Sequence, residues 1–134
     1  MMEKHVVTVP GMKSIGPYSQ AVRVGGLLYV SGQPGVDPAT GEAAGPAFAE
    51  QAAQAFRNLE TVLRAGDSRP DQVVNTTILV SDVANFAELN RVFAEFFPTD
   101  PPARMTIQAP LPKGLLISIG CVAVIADQAF RSRT

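Results

Sequence analysis

The chain has 134 residues, of which 46% are apolar and 17% charged, and a formal net charge of −1. That length suits one domain with a core of its own, and no shift of composition divides the 1–134 span. Near-neutral charge without a Lys/Arg run offers no footprint for nucleic acid or an anionic membrane, and a lone cysteine, Cys121, excludes an internal disulfide and a multi-cysteine metal site.

The start, Met1-Met2-Glu3-Lys4-His5, lacks the apolar stretch of a signal peptide. Val6-Val7-Thr8-Val9 is a β-branched run ended by Pro10-Gly11, which predicts a first strand. Ser14-Ile15-Gly16-Pro17-Tyr18-Ser19-Gln20-Ala21 follows as a polar loop around a Gly-Pro breaker. It can line a site, although small polar residues also suit turns for conformational reasons alone.

Ala21-Val22-Arg23-Val24, Gly25-Gly26 and Leu27-Leu28-Tyr29-Val30-Ser31 read as a hairpin whose two glycines are free to take positive φ. The second strand runs into Ser31-Gly32-Gln33-Pro34-Gly35, where Gly32 permits a ligand or another backbone to come close, or simply ends the strand. Asp37 to Gly41 continues as a turn.

Between residues 47 and 65, Ala49, Ala52, Phe56, Leu59 and Leu63 recur at three- and four-residue steps, which predicts an amphipathic helix stopped by Gly66. Residues 72–80 are rich in β-branched side chains and predict a strand buried on both faces. Ser81 or Asp82 can cap a second helix, in which Phe86, Leu89, Phe93 and Phe96 or Phe97 form a core stripe before Pro98. Asn90 sits inside this helix, where its amide needs solvent or a site as partner.

Two prolines then deliver Pro101-Pro102-Ala103-Arg104-Met105-Thr106-Ile107 as an extended segment. Arg104 and Thr106 share one of its faces. A guanidinium can grip a carboxylate with two parallel hydrogen bonds, and a hydroxyl two residues on reaches the same place. The plainer alternative is an edge-strand arginine paired with Asp100. The last apolar run, residues 115–126, turns Leu115, Ile117, Ile119 and Cys121 one way and Leu116, Ser118, Gly120 and Val122 the other. It contains Ser118 and Gly120 and is too short to span a bilayer, so a cytoplasmic location is expected.

The order β-β-β-α-β-α-β-β predicts an α+β layer, one sheet with two helices packed on one face. A sheet apolar on both faces needs a second cover, which self-association would supply. Cys121 reads as a small buried hydrophobe, and His5 is the only histidine, so a triad or a metal centre has nothing to build on.

Taken together, Gly16-Pro17-Tyr18-Ser19-Gln20-Ala21, Tyr29-Val30-Ser31-Gly32-Gln33, Asn58-Leu59, Phe86-Ala87-Glu88-Leu89-Asn90, Pro102-Ala103-Arg104 and Leu111-Pro112-Lys113-Gly114 resemble the YjgF/RidA family of reactive-intermediate deaminases. The resemblance runs in order through nearly the whole chain. It implies a chorismate-mutase-like fold, a homotrimer with sites between subunits, and cofactor-free hydrolysis of 2-enamino or 2-imino acids to 2-keto acids and ammonia. By the same resemblance Arg104 holds the substrate carboxylate, Ser31 and Gly32 line the pocket, and Tyr18 and Asn90 stand at its rim.

Two positions depart from the family pattern. Thr106 stands where many members carry a cysteine, and Ser118 stands where many carry a glutamate thought to place the attacking water. A nearby second acidic position becomes Gly120. A serine holds a water but takes no proton at neutral pH, so the sequence leaves open a non-catalytic trimer that binds small carboxylates or acts as a regulatory or chaperone-like partner.

Overall fold

The computed structural model describes residues 3–125. Its elements run β1 (His5–Val7), β2 (Ala21–Val24), β3 (Leu27–Pro34), α1 (Phe48–Ala65), β4 (Val73–Val80), α2 (Phe86–Phe96), β5 (Ala103–Gln108) and β6 (Ile117–Val124). Single 3-10 turns at Pro70–Gln72, Val83–Asn85 and Pro112–Gly114 lead into β4, α2 and β6. The strands form one sheet in the order β1-β2-β3-β6-β4-β5. Only β4 and β5 pair in parallel, because α2 carries the chain back over the sheet between them.

Both helices cover one face. Leu28, Ile78, Ile117 and Ile119 from the sheet meet Leu59, Leu63 and Leu89 from the helices with no exposed surface left. Burying each such side chain contributes about 1.5–3 kcal/mol. Ala52 and Ala55 are also fully buried, and their small size lets α1 lie close to the strands. The alternation read for the last strand holds: Ile117, Ile119, Cys121 and Ala123 are buried, while Ser118, Gly120 and Val122 look the other way and are half-buried.

Other expectations are corrected. The first strand ends at Val7, since Pro10 has no N–H to pair and Gly11 (φ 80°) turns the chain away. In the hairpin turn only Gly25 has positive φ, at 57°. The last strand starts at Ile117 rather than Leu115, because the Leu116 N–H donates to Gln51 Oε1 (2.8 Å) and not to a neighbouring strand; Ala126 lies outside the described residues. Gly66 does stop α1, but with φ −95°, and the left-handed residue is Asp67 (φ 64°). Glycine is needed at 66 for space, since a Cβ there would stand 2.6 Å from Leu28 Cδ1.

β4 is not buried on both faces. Val73, Thr76, Ile78 and Val80 are covered, whereas Val74, Asn75 and Thr77 are exposed. The whole sheet shares this asymmetry. On the side away from the helices Val6, Tyr29, Met105, Ile107 and Val124 are each more than two-fifths exposed, so this chain alone leaves an apolar face uncovered. No helix among the described residues is long and apolar enough to cross a membrane.

Candidate active site

The Pro101-Pro102 pair brings the chain into β5 extended, and Thr76 Oγ1 donates to the Ala103 carbonyl (3.0 Å) to fix the strand's start. The register sets Arg104 beside Thr76 and Thr106 beside Ile78, so both project to the helix side of the sheet's last strand. There the Arg104 Cζ lies 5.2 Å from the centre of the Phe86 ring and 4.9 Å from that of Phe93. Phe86, Asn90 and Phe93 follow one another at four- and three-residue steps and therefore share a face of α2. Asn90, exposed, stands on that face between the two rings.

This arginine differs from the others. Among the described residues Arg23, Arg64, Arg69 and Arg91 each pair with a carboxylate and Arg57 donates to Gln54, whereas Arg104 has neither kind of partner, and Asp100 does not reach it. Arg91, also on α2, is held by Glu88 and Glu95; its hydrogen bond to Glu88 keeps that carboxyl below the usual range. Thr106 Oγ1 is buried without a hydrogen-bond partner. A cation with free donors beside a hydroxyl that lacks a partner has the chemistry to receive a small carboxylate.

A second group gathers around the end of β3. The register of β3 against β6 shifts between Val30 and Gln33, leaving Ser31 and Gly32 as a bulge opposite Gly120. A Cβ on Gly32 would stand 2.7 Å from Ser118 Oγ, so the glycine is what leaves that hydroxyl room. Ser31 Oγ donates to the Ser19 carbonyl (2.6 Å), which ties the Tyr18 loop to the bulge. Beneath it Gln33 Nε2 donates to Gln20 Oε1 (2.9 Å) and Gln20 Nε2 to Ser14 Oγ (2.9 Å). Tyr18 is 41% exposed at the loop's surface.

One chain does not unite the two groups. Ser118 is in register with Leu79 and lies on the open face, whereas Arg104 and Thr106 lie on the helix face. β3 and β5 are also separated by β6 and β4, three inter-strand spacings or about 14 Å. Gly32 and Ser118 thus meet on one side, with Ser31 tying the Tyr18 loop to the bulge, while Arg104 and Thr106 lie on the other beneath the face of α2 that carries Asn90.

Neither cluster contains a carboxylate or an imidazole. His5 is on β1, at the opposite edge of the sheet from β5. Cys121 faces the core, and burial pushes its thiol from an ordinary 9.0 up to about 12, which leaves it protonated and unreactive at neutral pH. A folded-state value above the unfolded one favours the native state fully below 9.0, and that contribution is lost as pH rises toward about 12. Labelling of Cys121 by a disulfide reagent at pH 8 is accordingly expected to follow the rate of unfolding; fast labelling of the native protein would contradict this burial. No group of three or more His, Cys, Asp or Glu is placed to hold a metal among the described residues.

Phe86 and Phe93 are the neighbours of Arg104 that sequence reasoning missed, because their helical spacing with Leu89 assigned both to the core. Phe93 is buried, but Phe86 is 42% exposed. The signal available was Asn90 between them on the same face. A groove of about 630 Å³ between the ends of α1 and α2 carries Arg64 and Arg69, but both are already paired, with Glu60 and Asp71.

Fold and site define a class: a small α+β domain presenting an unpaired arginine on an edge strand under an aromatic helix. The chain belongs to the endoribonuclease L-PSP family, also known as YjgF/RidA, whose profile matches residues 9–125. It is similar to RutC family protein y4sK of Sinorhizobium fredii, with 46% identity over 81% of this chain and 87% of that one. It is 38% identical to the human 2-iminobutanoate/2-iminopropanoate deaminase over 92% of this chain and 91% of the relative. Among solved structures, a putative endoribonuclease L-PSP from Entamoeba histolytica superposes with a TM-score of 0.86 at 40% identity, covering 92% of this chain and all of the other.

Proposed function

We propose that this protein hydrolyses 2-enamino and 2-imino acids, such as 2-aminoacrylate and 2-iminopropanoate, to 2-keto acids and ammonia, as a homotrimer with its sites between subunits. The observation that carries the reading is Arg104: a guanidinium without a carboxylate partner among the described residues, beside the unpartnered hydroxyl of Thr106. The names of relatives such as the human deaminase support the choice of substrate.

In this reaction water adds to the imine carbon, a proton moves to nitrogen, and the tetrahedral carbinolamine loses ammonia as the C=O bond forms. Imines of small acids need little acid or base help, so holding the carboxylate and presenting one water supplies most of the catalysis. Arg104 would take the carboxylate with Thr106 beside it; Ser118 and the Gly32 backbone would hold the water, and Tyr18 and Asn90 would border the cleft. The split of these residues between two faces, on strands two to three spacings or about 10–14 Å apart, supports a site completed by a second copy. So does the uncovered apolar sheet face.

The test is ammonia and pyruvate release from freshly generated 2-iminopropanoate, together with sedimentation. Turnover above the spontaneous rate by a three-chain particle is expected; a stable monomer, or no turnover, would sink the reading. Ser118→Glu should raise kcat by about tenfold or more, because a carboxylate accepts the proton that a serine cannot. An unchanged kcat would remove Ser118 from the water's side of the site. The observation favouring a non-catalytic carboxylate-binding trimer is the open face beside Gly32, where Ser118, Gly120 and Thr77 offer no base. Saturable keto-acid binding without ammonia release would decide for it.

A further inference from the structure

We propose that Phe86 and Phe93 are positioning residues for Arg104, holding its guanidinium between two aromatic rings so that its N–H fork stays open to the carboxylate of a 2-imino or 2-keto acid. The inference rests on the carboxylate-binding role of Arg104 and adds what fixes that side chain. A long, flexible arginine loses rotamer freedom when it binds, and a partner that holds it beforehand lowers that cost. Carboxylates hold the other paired arginines of this chain, but a carboxylate would also occupy the donors and neutralise the charge. An aromatic face attracts a cation within about 6 Å of its centre without taking a proton donor from it.

The distances of 5.2 and 4.9 Å place Arg104 within that range of both rings. The two walls differ in kind. Phe93 is fixed from behind, its ring centre 4.8 Å from that of Phe97 and 6.3 Å from that of Phe56. Phe86 is the outer wall, and its position depends on the start of α2. There the Val83 N–H donates to Gln108 Oε1 (2.7 Å), which ties the turn ahead of the helix to the strand that carries Arg104. This bond fixes the start of α2 relative to the strand that carries the arginine. The rings also exclude water from one side of the guanidinium, which strengthens its bond to an arriving carboxylate.

Phe86 is the residue to change, because its exposure lets a smaller side chain be tolerated where truncating Phe93 would open the core. Phe86→Leu, Phe86→Tyr, Phe86→Trp and Arg104→Ala are compared by titrating pyruvate onto the intact protein, by KM and kcat for 2-iminopropanoate, and by the NMR shift of the Arg104 Nε–Hε group. Phe86→Leu is expected to raise the pyruvate Kd and the KM by about three- to tenfold, with kcat within about twofold. The ring-current shift of Hε should fall, and Tyr or Trp should restore both binding and shift. A pyruvate Kd unchanged by Phe86→Leu, while Arg104→Ala abolishes binding, would overturn the proposal and leave the carboxylate site standing. Binding indifferent to Arg104→Ala, or absent from the wild-type chain, would overturn both.

Discussion

Arg104→Ala is expected to lower kcat/KM for 2-iminopropanoate by at least about a hundredfold, since two charge-assisted hydrogen bonds of roughly 1.5–3 kcal/mol each are lost from the bound substrate. The effect should fall on function and not on folding. Arg104 has no ion pair or hydrogen bond to break among the described residues, and its two ring contacts are worth about 0.5–1 kcal/mol apiece where solvent reaches them. Thermal unfolding should therefore move by only a few degrees. Arg104→Lys keeps the charge but not the planar fork, so it should recover under about a tenth of the lost activity. Added guanidinium ion should restore part of the turnover of Arg104→Ala. Unchanged kcat/KM in Arg104→Ala would show that the carboxylate is held elsewhere.

That Arg104 and Thr106 share a face was legible in the sequence, and their surroundings were not. The double proline forces an extended entry, and alternation puts Arg104 and Thr106 on one face; both follow from backbone geometry one residue at a time. Which sheet face that is depends on the parallel pairing of β5 with β4, a partner more than twenty residues away. The same limit explains Phe86. A stripe at helical spacing records that a helix has one apolar side, and whether its first turn overhangs the sheet's edge is decided by where β5 ends up.

The two-sided apolar character of β4 failed for a related reason. Val74 and Thr77 have β-branched, strand-forming side chains whether the face they occupy meets a helix or, in this single chain, nothing. Likewise Gly32 and Ser118 could each be picked out from sequence, but their closeness is a cross-strand fact created by the bulge in β3. Composition gives the type of each element; the register, which decides what faces what, comes from long-range pairing.

Gly35→Ala is expected to destabilise the fold by at least about 3 kcal/mol, near the upper end of what a single added methyl does. Gly35 is buried where the end of β3 passes under α1, and a Cβ there would stand 2.1 Å from the Gln51 carbonyl oxygen and 2.6 Å from its carbonyl carbon. These are helix backbone atoms, so no side-chain rotation relieves the contact. Nor can the helix shift easily. Gln51 Nε2 donates to the Gly45 carbonyl (3.0 Å) and its Oε1 accepts from the Leu116 N–H (2.8 Å), while Asn58 Nδ2 donates to the carbonyls of Pro34 (3.1 Å) and Val36 (2.9 Å) on either side of the glycine. Moving α1 outward would strain all four bonds and open a gap beside Ala52 and Ala55. Gly26→Ala is the control: its Cβ would meet nothing within 4 Å and its φ is not positive, so stability should stay within about 1 kcal/mol of wild type. Urea unfolding of the two variants side by side decides the matter. Equal midpoints would mean that α1 does not rest on the β3 backbone.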